Sequence, residues 1–100
     1  MNISSYDFFS NFANRTRFEI IMCLRKEALS VNEIAKKLHQ EQSKISHNLG
    51  KLASCHILDV KQNGKQRIYS LNKGTVVPLL ILVEKHVCSH CEDCPKRCQK

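Results

Sequence analysis

One hundred residues make one domain, small enough that a partner subunit or a bound metal would add useful stability. Sixteen Lys and Arg against nine Asp and Glu leave a formal charge of +7, doubled in a dimer, and that sign suits nucleic acid. The first ten residues, MNISSYDFFS, have neither a basic start nor a long apolar run. The longest apolar run, residues 76–83, falls far short of the ~20 residues a membrane span needs. The expectation is a soluble, cytoplasmic protein with no membrane partner. No Ser/His/Asp set, phosphate loop or open catalytic metal motif is present, which argues against an enzyme.

In chain order, Ser4 or Ser5 is placed to cap a short first helix with Phe8, Phe9 and Phe12 on its inner side. A second helix starts near Asn14, with Phe18, Ile21, Met22 and Leu24 expected to be buried. Ser30 and Glu33 form an S-x-x-E capping box, which satisfies two otherwise orphaned backbone N–H groups. Val31, Ile34, Ala35 and Leu38 then fall at i, i+3, i+4 and i+7, one apolar stripe on a third helix. Ile45, Leu49, Leu52 and Ala53 make the stripe of a fourth. Its opposite face holds Ser43, Lys44, Ser46, His47 and Lys51, short or cationic donors with no acid among them.

A β-hairpin follows. Residues 57–61 and 67–71 have the β-branched and aromatic enrichment of strands, and Asn63-Gly64 between them is the preferred type I′ turn pair. The tip carries Lys61, Lys65 and Arg67, in reach of a phosphate backbone. Helix, tight turn, helix and basic hairpin make a winged helix-turn-helix, mainly α with a small β wing. On this reading Gln42, Ser43, Lys44, Ser46 and His47 face bases and phosphates in the major groove, while Lys51, Lys65 and Arg67 contact the backbone. The partner is double-stranded DNA. Asn72-Lys73-Gly74 breaks the chain, and a last helix starts near Thr75 with Pro78 in its first turn, where a missing N–H costs little. Residues 76–83 are apolar all round. Either both sides are buried within one subunit, or a second subunit covers one of them.

The tail is a second chemical signal. Cys88, Cys91, Cys94 and Cys98 stand as C-x2-C-x2-C-x3-C, four thiols in eleven residues. Two-residue gaps let successive sulfurs turn toward one centre, and disulfides are disfavoured inside a cell. Zinc ranks first as the ion held; an iron–sulfur cluster or a soft metal or metalloid ion is the alternative. The division is therefore residues 1–87 for DNA binding and dimerisation and residues 88–100 for the metal-binding tail. Cys23 reads as a core residue, Cys55 as a thiol without an obvious partner and His39 as a turn residue. His86 and His90 flank the first tail cysteine.

Residues from about 13 to 71 resemble the ArsR/SmtB family of metal- and stress-responsive repressors. The residues carrying the likeness are Asn14-Arg15-Thr16-Arg17-Phe18-Glu19-Ile20 and Leu29-Ser30-Val31-Asn32-Glu33-Ile34-Ala35. They continue with Ser43-Lys44-Ile45-Ser46-His47-Asn48-Leu49, Leu52 and Gly64-Lys65-Gln66-Arg67-Ile68-Tyr69-Ser70-Leu71. The resemblance implies a homodimer held by the long terminal helix, an imperfect palindrome as the operator, and release when an inducer binds. Three departures stand out. Ser30, Val31 and Asn32 replace the Cys-x-Cys metal site common in the family. His56 takes the place of the usual glycine after the recognition helix, and the family's His/Asp spacing on the last helix is absent. Two functions fit: a regulator whose tail senses a ligand or redox state, or a winged-helix protein whose structural zinc knuckle is a platform for protein or RNA.

Overall fold

The computed structural model describes residues 4–90. Helix α1 (Ser5–Ala13) begins where the Ser4 hydroxyl accepts the Asp7 N–H at 3.0 Å. Asn14 ends α1 and caps α2 (Arg15–Lys26), its side chain accepting the Arg17 N–H at 3.0 Å. The inner face of α1 is Phe8, Asn11 and Phe12, whereas Phe9 points outward, 57% exposed. Positions 8, 11 and 12 share one helical face, and position 9 is turned about 100° away from position 8. Asn11 is buried yet satisfied: its amide donates to the Asp7 and Phe8 carbonyls at 3.0 and 3.2 Å, and its oxygen accepts from Arg17 at 3.1 Å. In α2 the buried stripe is Ile20, Ile21 and Leu24; Met22 is half-buried and Phe18 is left exposed.

The chain then forms a strand that the apolar pattern had not announced. β1 (Leu29–Ser30) pairs antiparallel with the second strand of the wing, Leu29 opposite Tyr69 and Ser30 opposite Ile68. Ser30 also caps α3 (Val31–Leu38), with both bonds of the capping box formed: Ser30 N–H to Glu33 Oε1 at 2.9 Å and Glu33 N–H to Ser30 Oγ at 3.3 Å. Helix α3 stops at His39, which is left-handed with φ 56°, and the Gln40 N–H returns to the Ala35 carbonyl at 3.1 Å. Three residues later α4 (Gln42–Ser54) starts. Ile45, Leu49 and Leu52 of α4 are fully buried in the core cluster with Ile20, Ile21 and Ile34.

His56 ends this helix region in the left-handed conformation, φ 60°, as expected of a residue standing where glycine is usual. Strands β2 (Leu58–Asn63) and β3 (Gln66–Leu71) complete a sheet of order β1-β3-β2. The register corrects the expected turn. Asn63 pairs with Gln66, so the two-residue loop is Gly64-Lys65 rather than Asn63-Gly64. Of the two loop residues only Gly64 has positive φ, 65°, which excludes type I′ and carries the φ signature of type II′. Asn63 is spared the left-handed conformation because glycine sits at the first loop position, where that conformation is needed.

Asn72 joins the wing to the last helix. Its Oδ1 accepts the N–H groups of Gly74 and Thr75 at 2.8 and 3.1 Å, and its amide donates to the His56 carbonyl at 3.1 Å. Helix α5 (Val76–His90) follows, with Pro78 in its first turn as expected. Val76 and Leu80 enter the core, and Ile81, Leu82, Val83 and Val87 remain exposed. No helix among the described residues is long and apolar enough to cross a membrane.

Candidate nucleic-acid interface

The core position of Ile45, Leu49 and Leu52 decides which face of α4 stays outside. Gln42, Ser43, Lys44, Ser46, His47 and Lys51 are all exposed, so the buried stripe leaves them on the solvent side. The N-cap, Glu41, makes no side-chain bond to the helix start, which leaves the first-turn N–H groups without a side-chain cap. Asn48 is a different case, since its amide donates to the Lys44 carbonyl at 2.9 Å on its own helix. On the wing, Lys61, Lys65 and Arg67 are exposed, and Gln62 braces the loop by donating to the Gly64 carbonyl at 2.9 Å. Residues 42–71 hold Lys44, Lys51, Lys61, Lys65 and Arg67 against one acid, Asp59. Such a surface attracts phosphate by its charge and can read base edges with hydroxyl, amide and imidazole groups.

The tail cysteines divide at the edge of the described residues. Cys88 is a half-buried residue of α5, whereas Cys91, Cys94 and Cys98 lie outside the described residues. Among the described residues no cluster of three or more His, Cys, Asp or Glu is placed to hold a metal ion. The His86 and His90 rings lie near each other one turn apart, centroids 4.6 Å. Cys23 is half-buried, and burial pushes its thiol above the ordinary value against the lowering pull of Lys37 and Lys26.

One contact between distant segments had no sequence signal. Arg25 of α2 donates from Nη2 to Glu84 Oε1 of α5 at 2.8 Å, with both side chains largely shielded. A salt bridge across 59 positions is invisible to periodicity, and only the tertiary fold brings the two charges together.

A compact helix-turn-helix, an exposed basic face on its second helix and a following two-stranded wing define a winged helix-turn-helix DNA-binding domain. Residues 14–60, from α2 through the helix-turn-helix to the first half of β2, match the family model described as bacterial regulatory protein, arsR family. Over those residues the chain is similar to arsR-family regulators, and its fold is a winged helix-turn-helix. Solved structures share the architecture. The homodimeric winged helix-turn-helix DNA-binding domain of Mb0332 from Mycobacterium bovis superposes with a TM-score of 0.78 at 24% identity, covering 85% of this chain and 79% of that one. HlyU from Vibrio cholerae gives 0.74 at 24% identity, covering 84% and 91%. The transcriptional repressor PagR of Bacillus anthracis gives 0.68 at 28% identity, covering 78% and 90%. No curated protein matches the sequence.

Proposed function

We propose that this chain is a transcriptional repressor that binds an imperfect palindrome as a homodimer. The observation that carries the reading is the exposed face of α4, without an acid from Gln42 to Ser54, followed directly by the basic wing. In each half-site α4 enters the major groove, where Gln42, Ser43, Lys44, Ser46 and His47 meet bases and phosphates. Lys51, Lys65 and Arg67 hold the phosphate backbone and set the register. The dimer is supported by the exposed apolar side of α5 (Ile81, Leu82, Val83 and Val87) and by the homodimeric Mb0332 domain of the same architecture. A two-fold protein calls for a two-fold operator, hence the palindrome.

The tail supplies the regulation. Cys88, Cys91, Cys94 and Cys98 hold zinc, or in its place an iron–sulfur cluster or a soft metal or metalloid ion. The donor set fits such a group: four thiols in eleven residues, the first anchored on α5 next to the proposed dimer face. An ion held by the four thiolates would link Cys91, Cys94 and Cys98 to Cys88 near the end of α5. Its influence on DNA comes from favouring one dimer geometry over the other, since equal affinity for both shifts nothing.

The test begins with elemental analysis and a UV–visible spectrum of anaerobically purified protein, which separate zinc from iron–sulfur. Duplexes selected from a random pool are then titrated with the wild type and with the Cys91→Ser/Cys94→Ser double variant, each with and without metal. The expected results are a palindromic selected site, loss of metal in the variant, and a change of about 5–150-fold in operator affinity between metal states. Failure to select any sequence overturns the repressor. Retained metal in the double variant overturns the ligand set. If chelation unfolds the protein instead of changing operator affinity, the tail is a structural knuckle and not a sensor.

A further inference from the structure

The cleft between α2 and α3 plays no part in DNA binding or in the tail. It holds about 630 Å³, a size usual for small-molecule sites. Phe18, Met22, Cys23 and Leu38 give it an apolar wall, and Phe18 stays 41% exposed there. Its acids are already engaged: Glu19 faces Arg15 at 3.7 Å, and Glu27 faces Lys37 at 3.7 Å. Lys26, which also lines the cleft, has no acidic partner among the described residues. Arg25 lines it too. One of its terminal nitrogens holds Glu84, and the other, Nη1, is buried and makes no hydrogen bond among the described residues.

We propose that this cleft binds a small amphipathic carboxylate, with its apolar body against Phe18, Met22 and Leu38 and its carboxylate on Lys26 and Arg25, in competition with Glu84. The apolar wall selects the body, and the unneutralised cation selects the sign of the head group. Arg25 supplies the consequence. A guanidinium can hold a carboxylate through two parallel N–H bonds, and Glu84 uses one. A ligand carboxylate that takes Arg25 loosens α5 from α2. The ligand therefore favours the state in which this tie is open, as any effector must favour one state. Because α5 carries the apolar dimer face, the opening alters the dimer and with it DNA affinity. That last step rests on the proposed homodimeric DNA-binding function; the binding itself does not.

The experiment uses the full chain and three probes: decanoate, decanol and acetate. Duplex binding by the ligand-free protein is measured first, so that failure of the DNA-binding reading is seen separately. By calorimetry, decanoate should bind at sub-millimolar concentration, with decanol and acetate at least about tenfold weaker. Backbone amide shifts of the wild type should concentrate in residues 18–38 and at Glu84. Lys26→Gln should weaken decanoate about tenfold, Glu84→Gln should tighten it severalfold by removing the competitor, and Met22→Trp should fill the cleft and abolish binding. Decanoate should also change duplex affinity by about 5–150-fold in the wild type. Shifts confined to residues 81–87, or decanol binding as well as decanoate, would overturn the site. Tighter binding in Lys26→Gln, or unchanged binding in Glu84→Gln, overturns the placement of the carboxylate. Binding in the cleft with unchanged duplex affinity overturns the loosening of α5.

Discussion

Two neighbouring leucines of α5 should fail in different ways when each is replaced by glutamate. Leu80 is only 6% exposed and belongs to the core of its own protomer, whereas Leu82 is 65% exposed. Fully burying a leucine side chain is worth about 1.5–3 kcal/mol, so covering the exposed two-thirds of Leu82 is worth about 1–2 kcal/mol. A two-fold interface uses the position twice, which makes about 2–4 kcal/mol per dimer. At about 1.4 kcal/mol per decade, Leu82→Glu should raise the dimer dissociation constant by at least about 30- to 700-fold, with the desolvated carboxylate adding more. The protomer should keep its fold. Leu80→Glu removes a buried leucine at a cost of about 2–5 kcal/mol before any charge is counted, a large part of the ~5–15 kcal/mol that holds a domain together. It should melt the protein instead of separating the subunits. Sedimentation velocity over a concentration series, paired with circular-dichroism melts, reads both effects. A Leu82→Glu protein that dimerises as tightly as the wild type, or a well-folded monomer from Leu80→Glu, would refute the division of α5 into a core side and a partner side.

On the wing, the double change Lys65→Ala/Arg67→Ala should weaken binding to every duplex alike and flatten the slope of log affinity against log salt by about 2 units, one per lost phosphate contact. Tight, salt-insensitive binding by that variant would remove the wing from the interface, whereas Gln42→Ala or Ser43→Ala should change which sequences are preferred. Ser30→Ala removes one half of the capping box and should cost about 1 kcal/mol, seen as a fall of about 4–8 °C in Tm; an unchanged melt would mean that water replaces the cap at no cost. Burial raises the Cys23 thiol above its ordinary 9.0, so its contribution to stability is complete below that pH and is lost as pH rises through the folded-state value. Urea midpoints compared between wild type and Cys23→Ala from pH about 7 to about 10.5 should converge toward high pH, and parallel curves would contradict the shift.

Local chemistry alone determined much of this protein. The capping box of Ser30 and Glu33, the stripes on α3 and α4, the break at Asn72 and the start of α5 near Pro78 all rest on interactions within a few residues, so they can be read from spacing. The solvent face of α4 followed at once, because a helix that buries Ile45, Leu49 and Leu52 has no choice about the other side. Tertiary structure decided what spacing leaves open. Strand β1 exists because Leu29 and Ser30 meet Tyr69 and Ile68, residues some forty positions away, and two residues carry no pattern of their own. The loop is Gly64-Lys65 because the β2–β3 register opposes Asn63 to Gln66, and one residue of register moves the turn while the dipeptide stays the same. Phe9 and Phe18 looked like core residues by type, yet the packing of α1, α2 and α3 turned Phe9 to solvent and Phe18 into the wall of the cleft. In the same way Arg25 and Glu84 are ordinary surface charges in the sequence, and only the tertiary fold makes them a shielded pair at 2.8 Å.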